Sequence, residues 1–161
     1  MRWKPEVTVA AVVERDGRFL IVEERINGHL VLNQPAGHLE DRETLIAAAI
    51  RETREETAWR LTPQALVGTY LWRNPANERT FLRFTFCGTV DDYHADQPLD
   101  TGIVRTHWLS YEQLLSPQAR LRSPLVLRCI EDYRAGARQP LESVATLEME
   151  NALQVANVVN L

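Results

Sequence analysis

The stretch from Gly37 to Ala58 constrains this chain most, because it forces a helix into a sequence that otherwise reads largely as strands. Leu45, Ile46, Ala49, Ile50 and Thr53 recur three and four residues apart, the inward stripe of an amphipathic helix. Asp41 stands where a cap is needed, with Glu43 and Thr44 in the first turn. The helix is expected to end near Ala58, and Pro63 forbids much extension. Glu52, Glu55 and Glu56 lie three and four apart on one face of it. Such a helix must bury its stripe against a sheet while three carboxylates crowd together beside it.

The flanking sequence supplies the sheet. Val7 to Val13 is rich in β-branched residues and reads as a buried strand. Asp16-Gly17 is a hairpin turn, with Phe19 to Glu23 returning. Asn27-Gly28 marks a second turn before a short strand from His29 to Leu32. Beyond the helix, Leu66 to Trp72, Thr80 to Gly88 and Val104 to Leu109 read as strands. Ser110 and Gln113 have capping-box spacing for a short helix, and Ser123-Pro124 opens a longer one to about Arg134. Strands interleaved with a few helices predict an α/β fold with a mixed sheet. Residues 1–140 form one domain in this expectation. Residues 141–161 are a final helix or a tail, counted with the same domain.

The 161 residues match one ordinary domain, and a 45% hydrophobic content supplies a core. A net charge of -4 disfavours a general nucleic-acid or anionic-membrane binder. It leaves room for a small anionic substrate, because a bound cation reverses the local sign. Cys87 and Cys129 stand alone and read as core residues, without zinc or disulfide spacing. No stretch approaches a membrane span, and a reducing, cytoplasmic location is expected.

The acids belong to a longer pattern: Gly37, Glu43, Arg51-Glu52 and Glu55-Glu56. At average usage these six residues meet by chance at roughly 10⁻⁷ per start position, which weighs against an ordinary solvated helix face. Three carboxylates on one face repel unless cations sit between them. Hard ions such as Mg²⁺ take oxygen ligands and share phosphate oxygens with a substrate. Gly37 permits close backbone approach, and its carbonyl is a further ligand candidate. Arg51, four residues before Glu55, can fix one carboxylate with its planar fork.

The pattern resembles the Nudix box, G-x5-E-x7-R-E-U-x-E-E-x-G-U, where U is a bulky apolar residue. The resemblance implies an α/β/α sandwich around a central mixed sheet, with the box forming a loop-helix-loop. It implies hydrolysis of a nucleoside diphosphate linked to another group, with Mg²⁺ or Mn²⁺. Glu52, Glu55 and Glu56 would be metal ligands and Gly37 a backbone ligand. Glu43 would lie near them or be tied to Arg51, and Glu40 falls where many members carry another acid. Thr53 and Ala58 depart from the pattern, replacing an apolar residue and the closing glycine. Outside the box, segments such as Asn33 to Glu40 and Phe81 to Phe84 are similar to one phosphatase branch of the family. That likeness implies release of inorganic phosphate from nucleoside tri- and diphosphates, and action on hydroxymethylpyrimidine pyrophosphate.

Substrate contacts are less constrained. Arg83 lies opposite its strand neighbours, where it either reaches a phosphate or faces solvent. Arg25 is a weaker candidate of the same kind. Trp72, with Tyr70 and Phe84, offers a stacking surface or belongs to the core. Asn33 and Gln34 either bond a substrate ring or satisfy nearby backbone. His38 is a base candidate or simply exposed, and Ser123 with Arg122 either binds phosphate or caps a helix. Trp3 covers a pocket edge or nothing. The expected partner is a small nucleotide or pyrophosphate, and the expected assembly a monomer, with a homodimer open. Three other outcomes stay open, of which the first two are a pyrophosphatase of another nucleoside diphosphate derivative and a regulator that binds nucleotide without turnover. An interaction domain with an acidic docking helix is the third.

Overall fold

The structure, a computed structural model, describes residues 2–147. The central strand β1 (Glu6–Arg15) is apolar on both faces, as a strand covered from both sides must be. It runs parallel to β6 (Thr80–Asp91), in register from Glu6↔Phe81 to Val13↔Gly88. Strand β5 (Arg60–Arg73) pairs antiparallel with β6, so the sheet is mixed. Pro63 lies inside β5, at a register irregularity where a missing N–H is tolerated.

On its other side β1 turns through Asp16 and Gly17, both at positive φ, into β2 (Arg18–Ile26). The two strands pair only at Glu14↔Phe19 and Arg15↔Arg18, then part. Strand β3 (His29–Asn33) and β7 (Ile103–Ser110) pair with β2. A three-residue strand, β4 (Ala36–His38), takes the place beside β1 that β2 gives up. It is too short to leave a periodic signal, and the sequence had suggested only a loop there. This divergence opens a cleft between the β1 and β2 sides of the sheet.

Helix α1 (Leu45–Thr57) covers one face over Val9, Ala11, Val13 and Phe86. Helix α3 (Leu125–Arg134) covers the other, where Cys129 and Ile130 meet Val12, Ile21 and Val67. The α/β/α sandwich is therefore present. Cys87 and Cys129 are both buried free thiols. Helix α2 (Tyr111–Leu115) carries the capping box at Ser110 and Gln113. A short 3₁₀ turn spans Leu141–Ser143; the final helix or tail expected to Leu161 lies, past residue 147, outside the described residues. Among the described residues no helix is long and apolar enough to cross a membrane.

The start of α1 differs from expectation. Thr44, not Asp41, is the cap: its backbone is extended and its Oγ1 accepts the Ala47 N–H at 3.0 Å. Asp41 falls in the preceding turn, where Arg42 takes a positive φ of 61°. Glu43 and Thr44 thus precede the helix instead of forming its first turn.

The end of α1 is where the missing glycine matters. Ala58 adopts the left-handed conformation, φ 63°, and its N–H donates to Arg54 O. Arg54 Nη1 in turn donates to Ala58 O at 2.9 Å and to Asp92 O at 2.8 Å, which holds the strained turn. Ala58→Gly would relieve about 1–2 kcal/mol of strain. It would lose roughly 0.8 kcal/mol of buried methyl and some unfolded-state advantage. The expected net change in urea-unfolding stability is under about 1 kcal/mol.

Candidate active site

One cavity of about 710 Å³ lies at the mouth of the cleft. Strands β1 and β6, the β2–β3 pair, β4, α1 and the start of α3 all contribute to its wall. Its size suits a nucleotide-sized ligand.

The α1 side is acidic. Glu52 and Glu56 are buried, 9% and 4% exposed, and both line the cavity. Burial raises the Glu52 carboxyl, against the Arg51 guanidinium; Glu55 and Asp100 raise it further. Burial pushes Glu56 up to about 9, against the Ala36 N–H that donates to it at 2.8 Å; Glu52, Glu24 and Asp100 add to the rise. Glu55 is more exposed and lies outside the main cavity, beside Asp100, whose N–H donates to Glu55 O.

Arg51 is the hub of this wall. Its Nε and Nη2 grip Glu43 at 2.7 and 3.0 Å, the bidentate fork. Its Nη1 donates to Glu52 at 2.8 Å and Glu55 at 3.3 Å, and Nη2 also donates to His38 O. Arg51 holds Glu43 well below the usual carboxylate range. Glu40 is at the edge of this network, 3.7 Å from Arg51. Gly37 is needed for space, not for backbone freedom: any Cβ there would collide with the Glu52 carboxylate.

Among the described residues no three metal-ligating side chains are gathered tightly enough to hold an ion as they stand. Glu52 and Glu55 are drawn onto Arg51, and Glu56 onto the Ala36 N–H. The donor set nonetheless suits a hard divalent ion. Glu52 and Glu56 are oxygen donors on one buried wall, their proton affinity raised first by burial and then by neighbouring carboxylates, and the Gly37 backbone lies against Glu52.

The pH dependence of stability follows from these shifts. Glu56, Glu52 and Glu24 all have folded values raised above 4.5, so the folded state binds more protons than the unfolded chain above that pH. Their contribution is full below 4.5 and is lost as pH rises above it, that of Glu56 through about 9. Glu6 and Glu43 are lowered and act only on the acid side of 4.5. Metal-free stability, read by melting in chelator, is expected to fall across this window by up to about 1.4 kcal/mol per pH unit for a single such group.

The opposite wall is basic and aromatic. Arg83 is 6% exposed and lines the cavity, resolving the choice between cavity and solvent; its Nη1 donates to Gln34 at 3.4 Å. Gln34 is itself buried and donates to Val126 O at 2.6 Å. Trp72 and Phe81 stack at 5.8 Å and both line the cavity. Tyr70 instead donates to Asp132, and Phe84 packs under α1, so neither joins that surface.

The chain matches the NUDIX domain over residues 3–129. It belongs to the Nudix family. Phosphatase NudJ of Escherichia coli strain K12 is 46% identical to it over 142 residues, 88% of this chain and 92% of that protein. A NUDIX hydrolase from Nitrosomonas europaea is 50% identical and superposes with a TM-score of 0.87, covering 89% of this chain and 98% of the other. The NUDIX domain of Shewanella oneidensis NrtR, solved with ADP ribose, is 19% identical at a TM-score of 0.68, covers 84% of this chain and 90% of that one, and shares the fold.

This Nudix hydrolase thus carries its box as loop, helix and left-handed closing turn, with both departures accommodated. Thr53 is fully buried, its hydroxyl donating to Ala49 O. Of the remaining sequence candidates, Asn33, His38 and Ser123 with Arg122 line the cavity. Arg25 is exposed and not on the lining, because it shares the strand parity of Glu23, which faces Arg105 and His107. Trp3 is exposed and also off the lining. Glu24, Asp100, Thr8, Arg79 and Phe81 line the cavity without having been singled out. Strand alternation with Leu20 and Val22 carried the signal for Glu24, whereas nothing local marks Asp100.

Proposed function

We propose that this Nudix hydrolase is a Mg²⁺- or Mn²⁺-dependent phosphohydrolase of nucleoside tri- and diphosphates that releases inorganic phosphate. We extend the proposal to hydroxymethylpyrimidine pyrophosphate. The supporting observation is one cavity with an acidic wall, Glu52 and Glu56, and a buried guanidinium, Arg83, on the other side. The name phosphatase carried by the 46% identical relative supports the same product.

Glu52, Glu55, Glu56 and the Gly37 carbonyl would hold the ion. When bound, it would neutralise phosphate oxygens and lower the pKa of a water. Arg51 orients Glu43, Glu52 and Glu55 as one unit. Arg83 supplies a fixed cation for phosphate oxygens. The Trp72–Phe81 pair offers its surface to the substrate ring. A water attacks phosphorus in line, the anhydride P–O bond breaks, and the water's proton passes to a carboxylate of the acidic wall. Glu56, Glu55 or an acid outside the box, such as Asp100, would take that proton.

A panel of nucleoside di- and triphosphates, dinucleotides and pyrimidine pyrophosphates tests this, with products resolved. Orthophosphate release from nucleotides supports the proposal. Pyrophosphate as the sole product contradicts it. The regulator alternative is supported only by nucleotide binding with no turnover of any panel member.

A further inference from the structure

The tip of the β5–β6 hairpin overhangs the cavity beyond the end of β1. Glu6↔Phe81 is the first pair that β1 makes with β6, so residues 73–80 project past it. Trp72, Asn74, Ala76, Asn77, Arg79 and Phe81 from this end of the hairpin line the cavity. Internal bonds shape the tip: Asn74 N–H donates to Arg79 O and Glu78 N–H to Asn74 O, both at 2.8 Å. Among the described residues, the side-chain hydrogen bonds that tie the tip to the rest of the molecule are those from Arg79 to Glu6.

One carboxylate gathers three elements here. Arg79 Nε and Nη2 donate to the two oxygens of Glu6 as a bidentate fork. His38 Nε2, on β4, pairs with the same carboxylate at 2.8 Å. The His38 carbonyl in turn accepts from Arg51 Nη2. Arg79 also lies over the Phe81 ring, 5.3 Å from its centroid, and Phe81 stacks on Trp72. Strand alternation explains the gathering. Glu6 and Thr8 share one face of β1, His38 opposes Thr8, and Arg79, just before β6, continues the face of Phe81 and Arg83. Arg79, with His38 beside it, holds the Glu6 carboxyl down at about 2, so the fork is ionised at neutral pH.

We propose that Glu6 is a positioning residue: with Arg79 it clasps the hairpin tip to the body of the protein and fixes the Phe81–Trp72 surface at the cavity wall. This role rests on the proposed phosphohydrolase reading, in which that surface meets the substrate ring. Glu6 itself is off the cavity lining. Without Glu6, Arg79 regains rotamer freedom and the tip loses its tie, so the ordering of the ring platform is moved to the binding step and KM rises. The acidic wall and Arg83 stay in place, so bound substrate turns over as before.

The test is hydrolysis of ATP and inorganic tripolyphosphate by the wild type, Glu6→Gln, Arg79→Met and the double variant. Hydrogen exchange and calorimetric binding of AMP are followed on the same proteins without metal. Glu6→Gln should raise KM for ATP by about threefold to fivefold, the upper range for one exposed ion pair, with kcat unchanged. Arg79→Met should do the same, and the double variant should be no worse than either single one. Tripolyphosphate, which has no ring, should keep its KM and kcat. The Asn74 and Glu78 amides should exchange faster in all three variants, and those of the β1–β6 ladder at the wild-type rate. Unchanged KM for ATP, or unchanged exchange at the tip, in both single variants overturns the proposal, because the pair is then only a surface contact. An equal rise in KM on tripolyphosphate also overturns it, because Arg79 is then a phosphate contact. Absence of turnover in the wild type fails the phosphohydrolase reading alone. The AMP dissociation constant then takes the place of KM: the same rise in the variants keeps the clasp, and unchanged AMP affinity overturns it.

Discussion

Glu56→Gln is expected to lower kcat/KM on a nucleoside triphosphate by about 10³-fold or more, the scale of losing one preorganised charged group in a buried site. The same substitution is expected to raise metal-free stability at pH 8. Glu56 is 4% exposed and its carboxyl is pushed up to about 9, so folding at that pH requires it to take up a proton or bury a charge. Glutamine removes that cost and can still accept the Ala36 N–H. The gain should be on the order of a few kcal/mol at pH 8 and should vanish well below pH 4.5, where the wild-type carboxyl is protonated in both states. The stabilisation by Mg²⁺ should shrink in parallel. Kinetics and melting on one preparation read both effects. A solvated surface glutamate would move neither by more than about 0.5 kcal/mol.

Gly37→Ala is the second large effect. The added Cβ would occupy the space of the Glu52 carboxylate, which would have to swing away from Arg51. Displacing one group of a fixed constellation by about 1 Å costs roughly 10²-fold in rate. Because the colliding atoms are the far end of a side chain that can swing aside, urea unfolding should change by under about 1 kcal/mol. Since the damage runs through Glu52, the double variant Gly37→Ala/Glu52→Gln should be little slower than Glu52→Gln alone. Full additivity of the two rate losses would mean that Gly37 acts through something other than Glu52.

How much of this site was legible in the sequence varies residue by residue. Helical spacing placed Glu52 and Glu56 on one face, and the structure buries both there. Spacing also put Arg51 within reach of its acids, although its bidentate partner is Glu43, eight residues back, rather than Glu55. Residue pattern alone misplaced the cap, because Asp41 and Thr44 are both good caps and the choice depends on a turn at Arg42. Alternation placed Arg83 away from Leu82 and Phe84, but only the pairing Thr8↔Arg83 shows that this face is a cavity. Glu24 stands between Glu23 and Arg25, which face the other way, and only its alternation with Leu20 and Val22 marks it. Asp100 reaches the acids through a loop whose path no local signal encodes.

In the proposed function the Glu52–Glu56 wall and Arg83 together hydrolyse nucleotides with a divalent ion. Its most direct test follows orthophosphate and pyrophosphate from a nucleoside triphosphate, first in chelator and then through a Mg²⁺ titration. Orthophosphate that is absent in chelator and rises saturably with Mg²⁺ is the predicted result. Turnover that persists unchanged in chelator, or Mg²⁺-dependent release of pyrophosphate alone, would contradict it.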